Sequence, residues 1–225
     1  MFDEAMKKTL NEQANVAVEW IKKYATNNRV RLISHYDADG ITAAAIMAHA
    51  VRRFGFDFQL SLMRNPFTDG LKKVKQEQND IIIFTDMGSG QLPLIEKLNA
   101  HCIIIDHHQL IKKETPENIL QLNTYQFEIN GNYDASGASL SYAVALALDE
   151  QNKDLAAYAI AGATGDKQYI GDFTGYNKKL IDAAVKQNTV TENTSVKLNG
   201  KSMQEALYYA VDPYYKGLSG RTEQI

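Results

Sequence analysis

The chain has 225 residues, 44% apolar and 23% charged, with a formal net charge of −3; this is enough for one large domain and excludes a disordered composition. No apolar run reaches the ~18–20 residues that cross a bilayer, the opening Met1–Lys8 lacks the apolar stretch of a signal peptide, and the net negative charge argues against a broad basic surface. One cysteine cannot form an internal disulfide, so a reducing, cytoplasmic setting is expected.

In chain order, residues 4–25 read as an amphipathic helix with Ala5, Leu10, Val18 and Ile21 on its apolar side. Val30–Ser34 is a short apolar strand, followed by a polar turn and a helix from Ile41 to Phe54. Asp57–Met63 alternates Phe58, Leu60 and Leu62, the period-2 signature of a strand. A helix over Thr68–Gln78, a buried strand at Ile81–Phe84, a helix over Gln91–Leu98 and a buried strand at Cys102–Ile105 follow. Near-continuous apolar strands alternating with helices imply an α/β fold: a parallel β-sheet flanked by helices, Rossmann-like in layout. Gln121–Asn123 suits an edge strand. Beyond it the chain turns mostly helical, with segments at Ser139–Leu148, Leu155–Ala163, Lys178–Val185 and Ser202–Ala210. The expectation is a single domain over 1–225, with a sheet part over 1–125 and a mainly helical part over 126–225.

Chemistry concentrates where the strands end. His35-Tyr36-Asp37-Ala38-Asp39-Gly40 follows the first strand, and in an extended chain residues 35, 37 and 39 point to one side. Gly40 then reads as the turn into the next helix. The strand at Ile81 ends in Asp86, the strand at Cys102 ends in Asp106-His107-His108, and Gly165-Asp166 follows a later helix. Carboxyl ends of parallel strands are where open α/β sheets bind their ligands. Two carboxylates ~4 Å apart repel by roughly 4 kcal/mol at an effective dielectric of ~20. A cluster of Asp37, Asp39, Asp86 and Asp166 therefore calls for cations. Oxygen and imidazole donors without thiolate suit Mn2+ or Mg2+, with imidazole favouring Mn2+. Read one at a time, these residues have plainer roles: Asp39 as the N-cap of the helix at Ile41, Asp86 as a strand terminator, Asp166 as a turn residue. Ser136-Gly137 reads either as a helix N-cap or as donors to a phosphate. Arg64 and Lys167 are the cations flanking this cleft, and His49 and His101 read as structural or surface positions.

His35-x-Asp37-x-Asp39-Gly40, Asp86, Asp106-His107-His108 and Gly165-Asp166 together resemble the four motifs of the DHH phosphoesterase superfamily, in its order and spacing. The flanks Ser34–Ala43, Asp134–Ser139 and Asp212–Gly220 are similar to RecJ-like single-strand nucleases of the archaeal type. The resemblance implies two divalent cations, one held by His35, Asp37 and Asp86, the other by Asp39, Asp86, His107 and Asp166, with Asp86 shared. It implies that a hydroxide bridging the metals attacks the phosphodiester, that His108 contacts the scissile phosphate, and that Asp106 orients a neighbouring histidine. The implied substrate is single-stranded DNA or RNA, cleaved by an exonuclease that acts in DNA replication or repair. A phosphodiesterase of short oligonucleotides or cyclic dinucleotides is the enzymatic alternative, and a subunit binding the GINS replication complex the non-enzymatic one. The second, substrate-binding domain common in the family has no counterpart in the sequence.

Overall fold

In the computed structural model, which describes residues 9–64, 68–77, 79–193 and 198–221, five strands pair in parallel. They are β1 (Arg29–His35), β2 (Asp57–Met63), β3 (Ile81–Thr85), β4 (Cys102–Asp106) and β5 (Ile119–Asn123), in the spatial order β2-β1-β3-β4-β5. The helices are α1 (Leu10–Tyr24), α2 (Ala38–Arg53), α3 (Thr68–Gln76), α4 (Leu92–Ile95), α5 (Gly137–Leu148), α6 (Ala156–Gly165), α7 (Gly175–Lys186) and α8 (Met203–Tyr209). No helix among the described residues is long and apolar enough to cross a membrane.

β3 and β4 are apolar along nearly their whole length because both faces of the sheet are covered. Ile81, Ile83, Ile103 and Ile105 enter one core with Val30 and Leu32, closed by α1, α2, α5, α6 and α7. Ile82, Phe84, Cys102 and Ile104 enter a second core with Ile33, closed by α3 and α4. The result is three layers, helix, sheet, helix, with β3 at the centre of the sheet between β1 and β4.

Several boundaries differ from the sequence reading for local reasons. α1 starts at Leu10, because the Thr9 hydroxyl accepts the Glu12 N–H and Glu12 in turn accepts the Thr9 N–H, a capping box; Ala5 and Gln78 lie outside the described residues. The expected Gln91–Leu98 helix is α-helical only over α4, between two 3-10 turns. β2 is the expected strand, but its apolar positions Phe58, Leu60 and Leu62 are 38%, 37% and 45% exposed. It is an edge strand with β1 as its one strand neighbour, so the helical layer covers it incompletely. β5 is the other edge and begins two residues before the expected Gln121.

The chain divides into two compact units, residues 1–190 and 191–225. The first holds the sheet and α1 to α7. In the second, Ser202 caps α8 by accepting the Glu205 N–H, Gly220 donates its N–H to the Tyr208 carbonyl, and the Ser219 hydroxyl accepts the Tyr215 N–H.

Candidate metal centre

The carboxyl ends of β1, β3 and β4 meet the N-termini of α2 and α5 and the C-terminus of α6, and the candidate residues lie at that junction. β1 stops at His35 and α2 begins at Ala38, three residues earlier than expected. Asp37, not Asp39, is the N-cap: its Oδ1 accepts the Gly40 N–H at 3.0 Å. The extended run expected through residue 39 is thus broken, and Asp39 turns inward from the first turn of α2 to full burial. Gly40 lies within the helix. A Cβ there would stand 2.4 Å from the His35 carbonyl oxygen, so glycine permits the close approach of α2 to β1 instead of making a turn.

Asp39 is held by the start of α5. Its Oδ1 accepts from the Ser136 hydroxyl at 2.7 Å and the Ala138 N–H at 3.0 Å, and its Oδ2 from the Gly137 N–H at 2.7 Å. Ser136 and Gly137, one reading of which made them phosphate donors, commit these groups to Asp39, and Ser136 also caps α5 through Ser139. Burial and the charge of Asp86 push the Asp39 carboxyl well above the usual range, against the imidazole of His107 and the Ser136 hydroxyl.

Asp86 follows β3 in the left-handed region, at φ 55°, and is 1% exposed. That conformation costs a non-glycine residue roughly 1–2 kcal/mol. It is held by the bond from the Asp86 N–H to the Ile105 carbonyl at 2.9 Å, and by Gly137, where a Cβ would come within 2.6 Å of the Asp86 Cβ. Its two carboxylate oxygens face two different groups. Oδ2 lies 3.5 Å from His35 Nδ1, which is also 2.7 Å from Asp37 Oδ2. Oδ1 lies 3.2 Å from His107 Nε2, which is also 3.2 Å from Asp166 Oδ2 and 3.7 Å from Asp39 Oδ2. Although burial opposes ionisation of Asp86, the imidazoles of His107 and His35 outweigh it and hold the carboxyl well below its ordinary value.

The two imidazoles respond in kind. Asp86 leads the effects that raise His35, and with Asp37 it overcomes burial to bring the pKa to about 9. Burial lowers His107, but Asp86, Asp39 and Asp106 more than reverse it and bring it to about 10. Asp166, at the C-cap of α6, is raised by burial against the pull of His107.

Asp106 and His108 form a separate pair at the rim. The buried Asp106 accepts the His108 Nδ1–H at 2.7 Å, the His108 backbone N–H at 3.2 Å and the Ser89 N–H at 2.9 Å. The bond to Asp106 raises His108 above its ordinary pKa, and the His108 side chain is 55% exposed.

These contacts leave polar atoms without partners. Both carboxylate oxygens of Asp86, His35 Nδ1 and His107 Nε2 are buried with no hydrogen bond, despite lying so close together. Orphaned buried donors and acceptors of this kind cost of order 1–3 kcal/mol each, which a bound cation would remove. Ligand atoms of His35, Asp37 and Asp86 all lie within 4.8 Å of one another, as do those of Asp39, His107 and Asp166, and those of Asp86, His107 and His108. The donors are oxygen and imidazole, so the site fits divalent cations such as Mn2+ or Mg2+.

Other positioning residues carry no sequence signal of their own. The Gly131 carbonyl accepts from His107 Nδ1 at 2.6 Å and from Gln168 Nε2 at 2.9 Å. Asn123 Nδ2 reaches both the Ser89 hydroxyl and the His108 carbonyl. His49 is exposed beside Tyr158, and His101 stacks on Tyr24.

A family model described as the DHH family, N-terminal domain, matches residues 29–165, more than half of the chain. The chain therefore belongs to the DHH family. An uncharacterized protein of Methanocaldococcus jannaschii is 31% identical over 197 residues, which is 84% of this chain and 45% of that protein. This chain thus spans less than half the length of that relative. Among solved structures, RecJ of Thermus thermophilus in complex with Mn2+ is similar, with a TM-score of 0.62 and 18% identity over 78% of this chain and 27% of that one. CDC45 of Entamoeba histolytica has a TM-score of 0.60 and 16% identity over 87% of this chain and 41% of that one. The fold is shared with both.

Proposed function

We propose that this chain is a metal-dependent phosphodiesterase that removes nucleotides from single-stranded DNA or RNA, with two divalent cations at the carboxyl end of the sheet. The observation that carries the two-cation reading is Asp86: one oxygen faces His35 and Asp37, the other faces His107, whose Nε2 also lies beside Asp39 and Asp166, and both oxygens lack hydrogen bonds. A shared carboxylate between two ligand sets is the arrangement that a pair of cations needs. When bound, the pair supplies an activated water and charge stabilisation of the leaving oxygen. Mn2+ is the preferred ion in this reading; the complex of RecJ with Mn2+ and the imidazole content support it.

The protein's own groups do the rest. Asp39 is kept in place by three donors and cannot swing away. His107 has Nδ1 committed to the Gly131 carbonyl, so Nε2 is the nitrogen that serves as ligand. His108, with its ring aligned by Asp106 and its side chain half exposed, can donate from Nε2 to a phosphate oxygen in its imidazolium form.

The preference for a nucleic-acid strand over a small diester rests on the RecJ-like flanks of the motifs. Hydrolysis of single-stranded DNA, a dinucleotide and pyrophosphate, each with Mn2+, tests it: the strand should be cut fastest, and activity confined to pyrophosphate would overturn the nuclease reading. Pairing with the GINS complex is a further role implied by the family resemblance, and co-purification tests it.

A further inference from the structure

Tyr36 stands between two candidate ligands, His35 and Asp37, and none of the chemistry above uses it. Its ring meets the His35 imidazole edge-on, with centroids 4.8 Å apart and planes at 84°. The Arg64 guanidinium stands over the same ring at 5.9 Å, within the range of a cation–π contact. The β1–β2 register explains the meeting, since His35 pairs with Met63 and the next residues along the two strands are Tyr36 and Arg64. Despite both contacts, Tyr36 is 47% exposed, and Arg64 is exposed with no carboxylate partner among the described residues. The mouth of the metal centre therefore presents an oriented aromatic ring beside a cation that has no carboxylate partner among the described residues.

We propose that Tyr36, backed by Arg64, is a stacking platform for the base of the nucleotide whose phosphate enters the site. The inference rests on the nuclease reading and narrows it: the substrate carries a planar group next to the scissile phosphate, which pyrophosphate and inorganic polyphosphate lack. A ring already held by an imidazole edge and a guanidinium loses little freedom when a base lies on it, and aromatic stacking accepts any base. Arg64 adds attraction for the flanking phosphates of a strand. Other exposed tyrosines, such as Tyr209 and Tyr214, are not neighbours in sequence of candidate ligands.

The test is binding without turnover, with Ca2+ in place of Mn2+. Fluorescence anisotropy would compare a labelled short oligo-deoxythymidine with the same strand carrying abasic residues at its end. The wild-type protein is expected to bind the intact strand about tenfold more tightly, within the range of one stacked base. In Tyr36→Ala this ratio should fall to near one. In Tyr36→Phe it should persist, because the ring remains, and Arg64→Ala should reduce it and flatten the salt dependence. An equal preference in wild type and Tyr36→Ala, or no preference in the wild type, overturns the platform. The readout is independent of hydrolysis: a chain that shows the Tyr36-dependent ratio but cuts no strand with Mn2+ would sink the nuclease reading and leave the platform standing.

Discussion

The Nδ1 of His107 lies 2.6 Å from the carbonyl oxygen of Gly131. Since a carbonyl only accepts, Nδ1 carries a proton in this contact, and the other nitrogen is left facing Asp86, Asp39 and Asp166. The orientation of one ring thus converts a loop carbonyl into the device that aims Nε2 at the candidate metal position.

In the proposed two-cation centre Asp86 serves both ligand sets, so its removal would act on both. Asp86→Ala is expected to abolish hydrolysis, a loss of roughly a thousandfold or more, equivalent to about 4 kcal/mol of barrier. His49→Ala, on the exposed face of α2 beside Tyr158, should be nearly silent. Steady-state rates on one substrate with Mn2+ compare the two, and equal rates would refute the assignment.

Metal affinity should rise with pH. In the metal-free protein His35 and His107 hold their protons up to about 9 and about 10, and a cation must displace them. Calorimetry of Mn2+ binding in buffers of different ionisation enthalpy should show proton release at about pH 7, fading as pH passes through about 9 to about 10. Because both folded pKa values lie above the unfolded value of about 6.5, the stability they contribute to the metal-free protein is complete below that value. It is lost as pH rises through about 9 to about 10. Thermal unfolding of the metal-free protein should therefore shift downward over that window, and bound Mn2+ should suppress the shift.

Two substitutions at the start of α5 separate packing from hydrogen bonding. Gly137→Ala drives a methyl within 2.6 Å of the Asp86 Cβ, so an overpacking cost of about 1–3 kcal/mol and a Tm lower by several degrees are expected. Ser136→Ala removes one of three donors to Asp39 and the cap of α5, a loss of about 1 kcal/mol. Calorimetric Tm measured with and without Mn2+ checks both, and wild-type Tm values in either variant would contradict the described packing.

Asp106 touches His108 and the Ser89 amide. Asp106→Asn is expected to lower kcat about 10–100-fold while Mn2+ affinity changes little. A matching loss of Mn2+ affinity would mean that Asp106 acts on the ligands directly.

The sheet was legible in the sequence because strands buried on both faces, such as Ile81–Phe84 and Cys102–Ile105, leave no polar positions to confuse the pattern. The candidate residues were legible because they follow those strands directly. What escaped depends on contacts distant in the chain. The burial of Asp39 requires α5, nearly a hundred residues later, to supply Ser136, Gly137 and Ala138. The Gly131 carbonyl has no sequence signature, since every residue has a carbonyl. The apolar alternation of β2 gave the strand but not its exposure, because an edge position is a property of the sheet order and not of the segment.

The most direct measurement is anomalous X-ray scattering at the manganese edge from crystals grown with Mn2+. Two peaks are expected, one on each side of the Asp86 carboxylate and about 3.5–4 Å apart, the first beside His35 and Asp37 and the second beside Asp39, His107 and Asp166. A single peak, or manganese bound away from Asp86 at saturating Mn2+, would contradict a shared two-cation centre.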